Sequence, residues 1–83
     1  NPQAPIHFIV IPKKEISTLN DIDETDKNLI GELFIVAKDL AKKEGIAENG
    51  YRTVFNCNNH GAQTVYHIHM HVLGGRQMKW PPG

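Results

Sequence analysis

What this chain lacks narrows its reading first. It has one cysteine, Cys57, so no internal disulfide can form and a reducing, cytoplasmic location is the default. No apolar run approaches the length of a membrane span, and no stretch resembles a secretory leader. Net charge is absent: nine basic residues balance nine acidic ones. That balance argues against generic binding to nucleic acid or acidic lipid. Acidic residues are missing outside Glu15–Glu48, so both ends are positive. There are no repeats and no low-complexity tract. At 83 residues the chain makes one small domain, near the lower limit of what folds alone. It opens on Asn1 with no initiating Met, which is expected of a trimmed piece of a longer protein.

What is present centres on Thr64–Leu73, Thr-Val-Tyr-His-Ile-His-Met-His-Val-Leu. His67, His69 and His71 fall at every second position. A strand alternates its side chains, so all three rings share one face, with neighbours about 6.6 Å apart. Tyr66, Ile68, Met70 and Val72 then form a core-facing stripe. A helix would scatter the histidines around its axis, so the spacing predicts a strand. Three imidazoles in a row are poor filler for a wet sheet face. They suit a zinc or copper site, or phosphate chemistry in which a neutral ring attacks phosphorus and protonated neighbours hold its oxygens. No Asp or Glu occurs from Asn49 to Gly83, whereas Arg52, Arg76 and Lys79 do. Metal-bound histidines usually give their second N–H to a carboxylate or carbonyl. The positive, carboxylate-free setting therefore favours phosphate, with metal as the alternative.

The remaining elements follow in order. Ile6–Ile11 reads as a strand apolar on both faces, ended by Pro12. His7 shares a face with Ile9 and Ile11. A helix is expected from Asp23 or Thr25 to about Lys43, with acidic residues in its first turn and Lys42 and Lys43 in its last. Its stripe is Leu29, Ile30, Leu33, Val36, Ala37, Leu40 and Ala41, widened by Phe34 and Ile35. Gly31 suggests close packing, and Gly45 a left-handed stop. Tyr51–Asn56 reads as a strand joined through the tight loop Cys57–Ala62 to the histidine strand. Cys57 and His60 read as an inert thiol and a solvated ring. Asn56, Gln63 and Thr64 flank the loop and offer neutral hydrogen-bonding groups beside the histidine face. The tail carries Trp80, which has no partner nearby in the sequence.

At His67–Leu73 the pattern resembles the His-x-His-x-His-x-x signature of the histidine triad family. The tail Gly74-Gly75-Arg76-Gln77-Met78-Lys79-Trp80-Pro81-Pro82-Gly83 is similar to the nucleotide-binding (Hint) branch of that family. So are Pro2-Gln3-Ala4-Pro5 leading to His7-Phe8 and Ile11-Pro12-Lys13-Lys14, and Gly61–Tyr66. The resemblance covers the whole chain. It implies an α+β fold, with an antiparallel sheet, one long helix packed on it, and a homodimer whose sheets join. It implies hydrolysis of purine nucleoside phosphoramidates, AMP or GMP joined to an amine, without a cofactor or a resident metal. It places His69 as nucleophile, forming a transient nucleotidyl-histidine, and His71 against the phosphate. His67 and His7 support the site. Asn56 matches a ribose or phosphate contact; Ala62, Gln63 and Thr64 match a phosphate loop. Ile9 and Met70 join the substrate contacts, and Trp80 matches a tail residue reaching the partner subunit's site. Ala62 stands where many members have Gly, and Thr64 where they have Ser. The family's N-terminal helix and strands, which supply much of the base and ribose pocket, precede the first matching residues.

The chemistry of the residues agrees. His69 must be neutral to attack, with one nitrogen bare and the other N–H held. The leaving amine needs a proton, from a protonated His71 or through the Thr64 hydroxyl. His71 and the amides of the loop would stabilise charge on the phosphoryl oxygens. The competing readings are a dinucleoside polyphosphate hydrolase and a nucleotide- or metal-binding regulatory module without turnover.

Overall fold

The computed structural model describes residues 2–83. Strand β1 spans Ile6–Val10, helix α1 Lys27–Lys43, strand β2 Tyr51–Phe55 and strand β3 Met70–Gly74. The three strands form one antiparallel sheet in the order β1-β3-β2. The fold is thus α+β with one long helix on an antiparallel sheet, as expected.

The helix covers one face of the sheet. Leu33, Ala37 and Ala41 recur every fourth residue and meet Val10, Met70 and Val72, with Phe8 and Phe55 packed alongside. Ile68, Met70 and Val72 are the largest fully buried side chains. Each such burial is worth about 1.5–3 kcal/mol. Phe34 and Ile35, which widen the stripe, stay about half exposed. Gly31 has no neighbour where a Cβ would stand, so close packing within the chain does not explain it. Gly45 takes the left-handed conformation that ends α1.

The helix starts later than its charge pattern predicts. Asp23 instead caps a 3-10 turn, Glu24–Asp26: its carboxylate accepts from the Thr25 amide, and Asp26 accepts from the Asp23 amide. Asp26 is buried and also holds Lys14 at 2.5 Å, tying this entry turn to the segment after β1. Among the described residues no helix is long and apolar enough to cross a membrane.

The histidine strand is shorter than expected. β3 begins at Met70, and Thr64–His69 lies outside the ladder. The reason is a competing partner. The Ile68 amide donates to the Ile16 carbonyl, and the Gln63 side-chain amide donates to the Ser17 carbonyl, so the 16–17 segment draws this stretch off the sheet. Alternation nevertheless runs on from His67 to Gly74, half-buried and buried by turns. Tyr66 falls outside it: the chain bends at 65–67, and Tyr66 is 53% exposed instead of joining the core. The β2–β3 link is not a tight hairpin either, since it runs from Asn56 to His69.

Candidate active site

The sheet face opposite α1 carries the site. Cross-strand pairing puts His7 beside Leu73 and places both Ile9 and Val54 beside His71. Because paired residues share a face, these five side chains stand together, with His69 continuing the row one step before His71. The His69 and His71 ring centroids are 4.9 Å apart, edge to face, closer than an ideal strand would set them. His7 and His71 centroids are 5.2 Å apart. Thus β1 brings His7 to the row.

Each ring is held by a partner that sets which nitrogen carries its proton. His69 Nδ1 lies 2.9 Å from the His67 carbonyl. A carbonyl only accepts, so Nδ1 bears the hydrogen and Nε2 of the neutral ring carries a bare lone pair. His67 Nε2 donates in the same way to the Pro12 carbonyl at 2.9 Å. On the other side the logic reverses. The Gln3 backbone amide donates to His7 Nδ1 at 3.0 Å, so His7 bears its hydrogen on Nε2. That Nε2–H faces His71 Nδ1 at 2.9 Å, and His71 in turn carries its hydrogen on Nε2. Adjacent rings therefore end in opposite chemistry: a lone pair on His69 and an N–H donor on His71.

His71 does not match the protonated ring expected from the sequence. Burial, then the neighbouring His69 and His7 rings, hold its pKa below the ordinary 6.5. At neutral pH the neutral form is favoured, with its Nε2–H available as a donor.

Two shallow clefts flank this row. One, of about 150 Å³, is lined by Ile9, Ile11, Val65, His67 and His69 and is almost wholly apolar. The other, of about 180 Å³, is lined by Gln3, His7, Val54, Asn56, His71 and Leu73. Both clefts expose mainly apolar surface, one beside a lone pair and the other beside an N–H donor, which suits a ligand with an apolar ring and an anionic group between them. One nitrogen each of His67 and His69 is committed to a carbonyl, and His71 Nδ1 to His7, which leaves Nε2 of His69 and of His71 facing outward. Among the described residues no group of three His, Cys, Asp or Glu is arranged to hold a metal ion.

The loop before β3 behaves differently from its expected role. The Ala62 and Gln63 amides donate within the loop, to the Asn59 and Asn58 carbonyls, so neither is available to phosphoryl oxygens. The Gln63 side chain is buried. It accepts from the Asn58 amide and donates to the Ser17 and Val65 carbonyls, which fixes the loop and leaves no side-chain group for a ligand. Asn56 donates to the Gly61 carbonyl at 2.6 Å and still lines the cleft beside His7 and His71. Thr64 is exposed just before the histidines. Met70 is fully buried, so only its backbone could meet a ligand. Ile9 is half exposed at the apolar cleft. Trp80 is 82% exposed, and its ring contact is with the Arg52 guanidinium, 6.0 Å from the centroid. Cys57 is half-buried and His60 exposed, both in the loop.

Sequence reasoning did not single out the groups that orient the rings. They are backbone atoms of Gln3, Pro12 and His67, which no residue type signals. Val65 and Ile11 were visible as apolar residues, but not as walls of a cleft.

Comparison with known proteins adds to this geometry. The family model described as the HIT domain matches residues 1–78. The chain is 50% identical over 78 residues to the purine nucleoside phosphoramidase of Escherichia coli, covering 94% of this chain and 66% of that protein. It is also 50% identical over 82 residues to a HIT-like protein of Synechococcus elongatus, covering 99% of this chain and 71% of the relative. Among solved structures, a HIT family hydrolase from Legionella pneumophila superposes with a TM-score of 0.97 at 58% identity, covering 99% of this chain and 73% of that one. The chain therefore spans roughly two thirds to three quarters of these relatives' lengths.

Proposed function

This chain belongs to the histidine triad family, and from that premise we propose that it is the catalytic part of a nucleotide hydrolase. Its substrates are purine nucleoside phosphoramidates, AMP or GMP linked to an amine. The observation that carries the proposal is the His69 ring, whose Nδ1–H is held by the His67 carbonyl while Nε2 keeps its lone pair. A 50% identical relative named purine nucleoside phosphoramidase supports the substrate class.

In this proposal His69 Nε2 attacks phosphorus as the phosphorus–amine bond breaks. The positive charge that develops on the ring is shared through Nδ1–H with the His67 carbonyl. His71 donates its Nε2–H to a phosphoryl oxygen, where negative charge gathers. Because His71 is held neutral, it is a poor source of the proton that the leaving amine needs. That proton comes from solvent through the exposed Thr64 hydroxyl. Water then attacks phosphorus, breaks the bond to Nε2 and releases the nucleoside monophosphate. The purine rests in the apolar cleft beside Ile9 and Ile11, and Asn56 faces the ribose and phosphate side. The protein works as a homodimer in the cytoplasm; half-exposed Phe34 and Ile35 and the single thiol support these two points.

The test is His69→Ala. Turnover of an adenosine phosphoramidate falls at least about 10⁴-fold, or about 5.5 kcal/mol in barrier, while AMP binding by calorimetry remains measurable. Equal loss of turnover and binding would contradict the nucleophile role.

A further inference from the structure

We propose that Arg76 is a positioning residue that fixes the tautomer of His71 through a chain of hydrogen bonds. The proposal builds on the reading of His71 as the ring that donates to the phosphate. Arg76 follows β3 in an exposed turn and would pass as a solvated charge. Its Nη2 donates to the Gln3 carbonyl at 2.9 Å. Gln3 then uses the other side of its backbone: its amide donates to His7 Nδ1 at 3.0 Å. His7 Nε2 lies 2.9 Å from His71 Nδ1. The order is Arg76, Gln3, His7, His71, and it joins the tail to the site through three contacts.

The chain has a direction. A backbone amide can only donate, so the orientation is set where Gln3 meets His7, and the Arg76 guanidinium acts on it by holding Gln3 in place. With Gln3 in place, His7 accepts at Nδ1 and donates at Nε2, and His71 presents an N–H outward. If Gln3 is released, His7 can move its hydrogen to Nδ1. Its Nε2 then accepts from His71 Nδ1–H, and His71 turns a lone pair toward the anion in place of a donor. The two states differ by a joint switch of both rings, with no change in fold. Residues 2–5 form no regular strand or helix, so a side chain that anchors the Gln3 carbonyl bears directly on whether its amide stays on His7. His69 stands outside this chain, because its hydrogen is fixed by the His67 carbonyl. It serves as an internal control.

The experiment is nitrogen NMR of the histidine rings at a pH where they are neutral, recorded without substrate on the wild type, Arg76→Ala and Arg76→Lys. The wild type shows His7 and His71 each with hydrogen on Nε2 alone, and His69 with hydrogen on Nδ1 alone. In Arg76→Ala the Nδ1 and Nε2 resonances of His7 and His71 converge together, as mixed tautomers require, while His69 keeps its pattern. Arg76→Lys, which retains a donor for the Gln3 carbonyl, restores the wild-type pattern. Rings of His7 and His71 that keep a single tautomer in Arg76→Ala overturn the proposal, and so does an equal change at His69. The readout is independent of turnover, so an enzyme that failed as a phosphoramidase would leave this result standing.

Discussion

His71 and His69 are neighbours in the row, yet their surroundings give them different tasks. Packing between His7, His69 and the strand favours the neutral form of His71. Its pKa lies below 6.5 in the fold and returns to 6.5 on unfolding. Between those values the unfolded chain binds more protons, so stability rises with pH there. The contribution is complete above 6.5 and is lost as pH falls through the folded value. NMR titration of the ring protons should therefore give a His71 midpoint below 6.5. In His69→Ala that midpoint should rise, because one source of the depression is removed. A midpoint at or above 6.5 in the wild type would contradict the depression, and one above neutral pH would mean that His71 works as an imidazolium after all. At this scale the sequence was most legible where residue type decides the chemistry. Alternation of His67, His69 and His71 was enough to place the rings together. It could not say which nitrogen of each ring is bare, because backbone groups of Gln3, Pro12 and His67 decide that, and all residues carry such groups.

The loop between β2 and β3 aims the row. Its geometry rests on Gly61 and Ala62. A Cβ at Gly61 would lie 2.4 Å from the Cys57 carbonyl oxygen and 2.7 Å from the Cys57 nitrogen, both backbone atoms that cannot swing aside. Gly61→Ala should cost about 1–3 kcal/mol by chemical denaturation, the usual range for an added group with no room. Ala62 sits at φ 60°, in the left-handed region. A side chain there costs about 1–2 kcal/mol. Ala62→Gly relieves that strain and loses part of the gain to a more flexible unfolded chain. It should stabilise by up to about 1 kcal/mol in the same assay. Sequence periodicity found β1, β2 and most of α1 to within a few residues. It overextended β3, because nothing in Thr64–His69 signals that the 16–17 segment will take its hydrogen bonds. It placed the helix start early, because Asp23, Glu24 and Asp26 suit a 3-10 turn as well as the first turn of an α-helix.

Across the whole molecule, one sheet face is closed by α1 and the other is open at the histidines. Both edge strands, β1 and β2, have a side without a ladder partner among the described residues. On the helix side Phe34 and Ile35 remain about half exposed, and Phe34 stacks toward Phe55 on the β2 edge at 6.2 Å between centroids. An apolar surface beside an open edge is what a second copy would cover. Sedimentation should find a dimer, and Ile35→Asp should weaken it more than tenfold in Kd, about 1.4 kcal/mol, with the monomer still folded. A wild-type monomer at micromolar concentration would remove this part of the proposal. The class of fold was legible from the order of strand and helix patterns. The exposed apolar patch was not, since an exposed Phe34 differs from a buried one only once the helix is packed.

The central claim is that His69 bonds to phosphorus during turnover. Its most direct test is a single-turnover reaction with an adenosine phosphoramidate, quenched within milliseconds and followed by peptide mass mapping. The account predicts a nucleotidyl group that appears on the peptide carrying His69 and disappears as AMP is released. Substrate consumed with no label on that residue at any time, or label settling on a different histidine, would contradict it.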